Sequence, residues 1–308
     1  MDGPFHRGEL DVQERAGSRD KLARFANRSI RDFMPDEHRE LFGKLPWLFA
    51  STLDAQRRTW ASLLVGYPGF IQTPDERTLR VTARAAFGDP LGANLALGAP
   101  IGLLGIELET RRRNRVNGTV VALRDGSFDV RVGQSFGNCP QYIQAREPQF
   151  TAEPDSVSLP RAVRSETSEL SDRAQSLITG ADTFFIATAA KDARGGDAVA
   201  GCDISHRGGL PGFVRVDSAE GRSVLSAPDF RGNNFFNTLG NVTDNPSASL
   251  LFVDFDAGDV LTLTGSARVI WEEPTRRLEF QPELGWWLAG AAPMRWSPPQ
   301  FARQLVTP

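Results

Sequence analysis

Two segments of the chain gather residue types that could hold a flat, phosphorylated ligand. In the first, Asn138-Cys139-Pro140-Gln141-Tyr142 packs two amides, a thiol, a proline and a phenol into five positions directly after Gly137. Such a loop can bring backbone and short polar side chains close to a polar ring. A well-made turn with Cys139 as a small buried hydrophobe is the plainer alternative. In the second, Asp229-Phe230-Arg231-Gly232-Asn233-Asn234 runs on through Thr238 to Leu239-Gly240-Asn241. A strand is expected to end at Ser226 and a helix to run from Asn233 to Leu239. Arg231 and the two amides then stand at a helix start, where free N–H groups and a guanidinium favour phosphate. An Asx-rich helix start with Arg231 in solvent is the alternative there.

Two further segments carry less. Ser205-His206-Arg207-Gly208-Gly209 reads as a loop between strands and holds one of the three histidines. Arg207 between flexible residues could cover a phosphate or a ring, whereas no Ser/Asp pattern around His206 points to a triad. Arg111-Arg112-Arg113-Asn114-Arg115 reads as a solvated charged face, partly neutralised by Glu107 and Glu109.

Charge and cysteine usage exclude several classes. The net charge is −3, from 35 Lys plus Arg and 38 Asp plus Glu, which gives no pull toward nucleic acid or anionic lipid. The two cysteines, Cys139 and Cys202, form no CxxC or Cys/His cluster, so neither a disulfide framework nor a metal site is expected. The start of the chain is charged and no apolar run approaches membrane length. A reduced, cytoplasmic protein with no membrane or nucleic-acid partner is the expectation.

The elements that must position these residues recur. Pro68-Gly69-Phe70 and Pro211-Gly212-Phe213 each follow a strand-like run. Ile101 to Ile106 matches Ala248 to Val253, and Asn117-Gly118-Thr119 matches Thr264-Gly265-Ser266, in the same order. Short β-prone runs bounded by turn residues fill both halves, which implies barrels or sandwiches. With 308 residues there is room for two ordinary domains. The expected organisation is a helical lead-in over 1–35, a first barrel over 36–148, a Pro/Ser/Arg-rich linker over 149–174, and a second barrel with a C-terminal extension over 175–308. An internal repeat of this length would build a shared interface, where ligands commonly bind.

These residues together resemble the pyridoxamine 5′-phosphate oxidase-like FMN-binding split-barrel family. Pro-Gly-Phe after a strand, the Asp229 to Asn241 segment, Asn245-Pro246 before Leu250-Leu251-Phe252-Val253, and Asn138-Cys139-Pro140-Gln141-Tyr142-Ile143 carry the likeness over about residues 36–148 and 175–271. The resemblance implies a mainly β fold of two split β-barrels with helical additions, paired within one chain as a pseudo-dimer, with FMN in the groove between them. It implies that Arg231, Asn233, Asn234 and Thr238 hold the phosphate and ribityl chain. Asn138, Cys139, Pro140, Gln141 and Tyr142 would reach across to the ring, with Trp60, Ser62, His206 and Arg207 as further contacts. At the first-half counterpart of the phosphate segment the chain has Ala85-Ala86-Phe87-Gly88-Asp89-Pro90, which lacks the cation and adds an acid, so one good site per chain is expected.

The function so implied is that of a flavoprotein oxidoreductase passing hydride or electrons between a nicotinamide donor, or a separate reductase, and a small acceptor. Vitamin B6 oxidation is not expected, because no basic C-terminal motif matches Gly285-Trp286-Trp287 or Met294-Arg295-Trp296. A non-catalytic flavin-binding or electron-transfer module, and a haem-binding split barrel using His206 or His38, are the alternatives. The chain would act as a monomeric pseudo-dimer or as a homodimer.

Overall fold

The computed structural model describes residues 3–24, 26–232, 234–273 and 275–306. Short helices α1 (Arg7–Arg15), α2 (Arg19–Ala23) and α3 (Ala26–Ser29) lead to α4 (Asp36–Lys44). Strands β1 (Trp47–Leu53), β2 (Thr59–Val65), β3 (Ile71–Asp75) and β4 (Thr78–Val81) follow, then α5 (Leu91–Asn94), β5 (Pro100–Glu107), β6 (Arg112–Arg124) and β7 (Ser127–Gly137). A strap holds β8 (Pro148–Phe150), a 3₁₀ turn over Pro154–Ser158 and β9 (Val163–Thr167). The second half comprises α6 (Asp172–Gly180), β10 (Thr183–Ala189), β11 (Cys202–Gly208), β12 (Arg215–Ala219), β13 (Arg222–Pro228), α7 (Asn237–Asp244), β14 (Ser247–Val253), β15 (Val260–Glu272) and β16 (Thr275–Leu288). Strand β17 (Met294–Trp296) and α8 (Arg303–Val306) close the chain.

The molecule is mainly β, with two large antiparallel sheets. Their strand orders are β2-β1-β5-β6-β7-β4-β3 and β11-β10-β14-β15-β16-β13-β12, which is one order written twice. The matched Asn117-Gly118 and Thr264-Gly265 dipeptides each sit at a register shift in the long strand pair. Glycine is required at both places: a Cβ would stand 2.1 Å from the Arg131 carbonyl oxygen in one case and 2.1 Å from that of Gln281 in the other.

Neither sheet closes on itself, because among the described residues the edge strands β2 and β3, or β11 and β12, do not pair. The edge of β2 is instead satisfied by the other half. Ser247 and Ser249 hydroxyls accept from the Thr59 and Ala61 amides at 3.0 Å each, and Thr262 and Thr264 hydroxyls donate to the Ala61 and Thr59 carbonyls at 2.7 and 2.9 Å. Covering the Thr59 and Ala61 groups in this way blunts the start of that edge against a further strand.

Strand alternation sends side chains into three apolar cores. Leu48, Leu64, Leu103 and Val116 fill one sheet, and Phe184, Ile186, Leu250 and Phe252 fill the other. Phe49, Leu63, Ile106, Phe185, Ile204 and Leu251, on the opposite strand faces, form a third core between the halves. Burying each large apolar side chain there contributes roughly 1.5–3 kcal/mol.

Two expectations are corrected: Ser205 to Gly208, expected as a loop, belong to β11, where they pair with β10, and the helix of the phosphate segment starts late. The expected helix over Asn233 to Leu239 begins at Asn237, because Asn234 and Phe236 are left-handed, at φ 62° and 61°, and Phe235 turns inward to pack with Phe5 and Phe136. The C-terminal extension contains β16, which completes the second sheet, since Thr275 to Leu288 pairs along the whole of β15. The stretch expected as a linker is structured: β9 pairs with β16, and Val163 reaches Gly88.

Candidate functional site

The ends of β7, β11 and α7 converge on one small cavity of about 70 Å³. Its lining draws on both halves: Arg113, Arg115, Asn138 and Cys139 from the first, and Ser205, His206, Arg207, Phe230, Asn234 and Thr238 from the second. The first-half loop lies close to β11 because Gly208 has no side chain; a Cβ there would stand 1.9 Å from the Tyr142 carbonyl oxygen. Across the junction the Tyr142 ring stacks on Phe230, with centroids 4.9 Å apart and planes 22° from parallel. Tyr142 is held at φ 63° to do so, a conformation costly for a non-glycine residue.

Charge around the cavity is unbalanced. Arg115, 4% exposed, donates to Asp203 at 3.0 Å, to Asn237 at 3.0 Å and to Ser205 at 2.5 Å. Arg207 and Arg276 share Asp229, at 3.6 and 3.0 Å. Arg113 differs: it donates to the Cys139 carbonyl at 2.9 Å, the His206 carbonyl at 3.3 Å and His206 Nδ1 at 3.0 Å, and among the described residues no carboxylate pairs with it. Desolvation, then Arg115 and Arg207, draw its pKa down to about 9, so it remains charged at neutral pH.

His206 completes the arrangement. Desolvation, then Arg113 and Arg207, hold its pKa well below the ordinary value, so the ring is neutral. A guanidinium can only donate, so Nδ1 accepts from Arg113 and the ring proton sits on Nε2. That buried Nε2–H finds no acceptor among the described residues, and neither does the Arg115 Nε–H. A protonated Nε2 has no lone pair for haem iron. His38, bonded through Nδ1 to the Ser135 hydroxyl at 2.8 Å, does not line the cavity.

Of the residues singled out in the sequence, Asn138, Cys139, Arg207, Asn234 and Thr238 line this cavity. Tyr142 stacks at its edge, Gln141 is half-buried beside it and Pro140 is exposed. Arg231 is exposed and precedes the helix by several residues. Asn233 lies outside the described residues. Trp60 and Ser62 stand elsewhere: the Trp60 indole donates to Asp54 at 3.0 Å and the Ser62 hydroxyl to Asp89 at 2.6 Å. Ser62 occupies in β2 the register position that Ser205 occupies in β11, opposite Ala50 and Ile186. The first-half counterpart segment, with Ala86, Asp89 and Leu91, lines a separate cleft of about 440 Å³ together with Arg84 and Arg124.

Sequence reading missed Arg113 and Arg115, taking the arginine run as a solvated face. Strand parity was the available signal. In β6, positions 113, 115 and 117 share one face, turned toward the second half, while Arg112 faces solvent and Val116 enters the first core.

Among the described residues no three His, Cys, Asp or Glu side chains gather where they could hold a metal ion, and no helix is long and apolar enough to cross a membrane. No protein-family model and no curated protein matches the chain. Among solved structures, HupZ of Group A Streptococcus is 13% identical over 34% of this chain and 93% of its own, with a TM-score of 0.27. A conserved protein of unknown function from Corynebacterium diphtheriae is 14% identical over 41% of this chain and 98% of its own, with a TM-score of 0.28. A FAD-binding protein from Mesorhizobium loti is 13% identical over the same shares, 41% and 98%, with a TM-score of 0.26. Likenesses this slight carry no weight for fold or ligand.

Proposed function

We propose that the chain is an FMN-binding flavoprotein in which two split-barrel halves form an intrachain pseudo-dimer with one flavin site at their junction. The carrying observation is Arg113, a cation half-buried in the junction cavity with neutral partners only. Removing such a charge from water is costly without an opposite charge, and an anionic ligand would supply it. The buried Nε2–H of His206 adds an unmatched donor to the same cavity. Donors of this kind suit the phosphate and the polar ring edge of FMN.

The donors fit the group, whereas the cavity volume of about 70 Å³ falls short of the roughly 300–1,000 Å³ of ligand pockets. Uptake therefore requires the lining residues Phe230, Asn234 and Phe236 to move outward. The left-handed backbone of Asn234 and Phe236 stores strain that such a movement would release. The first-half counterpart of the phosphate segment, Ala85 to Pro90, carries an acid and no cation, which supports a single site per chain.

Bound flavin would supply hydride or electron transfer. The chain's own residues would bind and orient it, with Arg113 and His206 offering hydrogen bonds and the Tyr142–Phe230 stack excluding water. Recording the visible spectrum of the purified protein, titrating it with FMN after removal of any bound flavin, and following bleaching by NAD(P)H test the reading. Failure to take up FMN would overturn it.

A further inference from the structure

A second cleft, sharing no lining residue with the junction cavity, opens where β17 pairs with β8. It measures about 260 Å³ and is walled by Trp47, Tyr67, Phe150 and Trp296, with Glu107 and Glu109 at the rim. The aromatic walls come as two packed pairs: Trp47 with Trp296, centroids 4.4 Å apart, and Tyr67 with Phe150, 4.8 Å apart. The polar tips of two of these rings are already engaged. Trp47 donates to the Ile106 carbonyl at 2.8 Å and Tyr67 to Glu153 at 3.1 Å. Trp296 is the exception: it is 8% exposed, and its Nε1–H finds no acceptor among the described residues. A buried indole N–H ordinarily has a partner.

Carboxylates dominate the surroundings. Glu107 and Glu109 line the cleft, Glu153 holds Tyr67, and Glu147 is close enough with Glu107 to push the Glu109 carboxyl upward, burial being the larger cause. Lys44 is the one lining cation. Aromatic walls attract a cation through their ring faces, and the surplus of carboxylates adds field of the same sense. The Trp296 ring separates this cleft from a neighbouring one lined by Arg146 and Asp182, and an oxygen acceptor on a ligand in the aromatic cleft would satisfy its unmatched N–H.

From the aromatic walls, the carboxylate rim and the orphaned Trp296 N–H, we propose that this cleft binds a small quaternary ammonium compound carrying an oxygen acceptor. The assignment is independent of the flavin reading.

Calorimetric titration of the full chain with choline, and with its neutral carbon isostere, tests it. Choline should bind saturably and about tenfold more tightly than the isostere. Glu109→Gln should weaken choline severalfold and leave the isostere unchanged. Trp296→Phe keeps a ring but removes the N–H, and should bring choline down to the affinity of tetramethylammonium, with thermal unfolding checking that the variant is folded. Equal affinity for choline and the isostere, or no saturable choline binding, would overturn the assignment, as would a folded Trp296→Phe variant with wild-type affinity.

Discussion

Phe49 and Phe185 stack face to face across the junction, with ring centroids 3.5 Å apart and planes 16° from parallel. They are corresponding residues: Phe49 pairs with Leu104 in the first sheet as Phe185 pairs with Leu251 in the second. Contacts around them are reciprocal, since β15 of the second half caps β2 of the first through Thr262 and Thr264, and β6 of the first meets β11 of the second through Arg115 and Asn117. What differs is chemistry: hydroxyls on one side, a guanidinium and an amide on the other.

That stack holds the halves together. Phe49→Ala and Phe185→Ala should each destabilise the chain by about 3–5 kcal/mol, through lost burial and the cavity left behind. The double variant should cost less than the sum, because each single change already removes the shared contact. Denaturant unfolding of the four proteins measures this; strict additivity would mean the rings do not interact.

Arg113 should matter for the ligand and less for the fold. Arg113→Ala should weaken FMN binding at least tenfold, since a charge-assisted contact to a desolvated anion is worth about 1.5–3 kcal/mol. The exposed neighbour Arg112, whose side chain among the described residues bonds to the Glu37 carbonyl, should be replaceable by alanine without effect. Arg115→Ala should instead destabilise the protein by about 3–5 kcal/mol, by leaving Asp203 buried and unpaired. Equilibrium titration and thermal unfolding separate the three.

Asp89 gives a pH signature. Burial raises its carboxyl to about 6, above the unfolded value, despite hydrogen bonds from Ser62 and the Leu91 amide. The folded chain thus keeps this proton to higher pH than the unfolded chain. The resulting stability is complete below the unfolded pKa of about 3.9 and is lost as pH rises through about 6, by up to about 3 kcal/mol. Asp89→Asn should flatten that window, read as the difference between wild type and variant in urea unfolding. Parallel pH curves would refute the assignment.

Much of the fold was legible in the residues. Thr59–Val65 and Thr183–Ala189 could be bounded as strands because turn residues flank unbroken β-prone runs, and Asn117-Gly118 could be matched to Thr264-Gly265 because only glycine tolerates that bulge. The end of strand Cys202–Gly208 was not legible, since His206-Arg207 followed by Gly208-Gly209 reads as a charged, glycine-rich loop although Ser205 to Gly208 pair with β10. The start of α7 was set too early because positive φ at Asn234 and Phe236 leaves no mark in composition. Asn138 and Thr238 could be picked out as motif residues; Arg113 could not, because its role depends on which strand face meets the second half.

The thiols offer a probe of the cavity. Cys139 is half-buried in its lining, whereas Cys202 is buried and its thiol pushed up to about 12 by desolvation and Asp203. Iodoacetamide should therefore modify Cys139 and spare Cys202 in the native protein, and bound FMN should slow that reaction. Mass spectrometry of the alkylated chain reports both, and labelling of Cys139 at the same rate with saturating FMN would place the ligand elsewhere.

The central claim is one flavin site per chain with Arg113 at its heart, and the most direct measurement is the stoichiometry of FMN bound to purified wild-type and Arg113→Ala protein by visible absorbance. One FMN should bind per wild-type chain, and the variant should lose at least tenfold in affinity. No uptake, two FMN per chain, or uptake indifferent to Arg113 would contradict it.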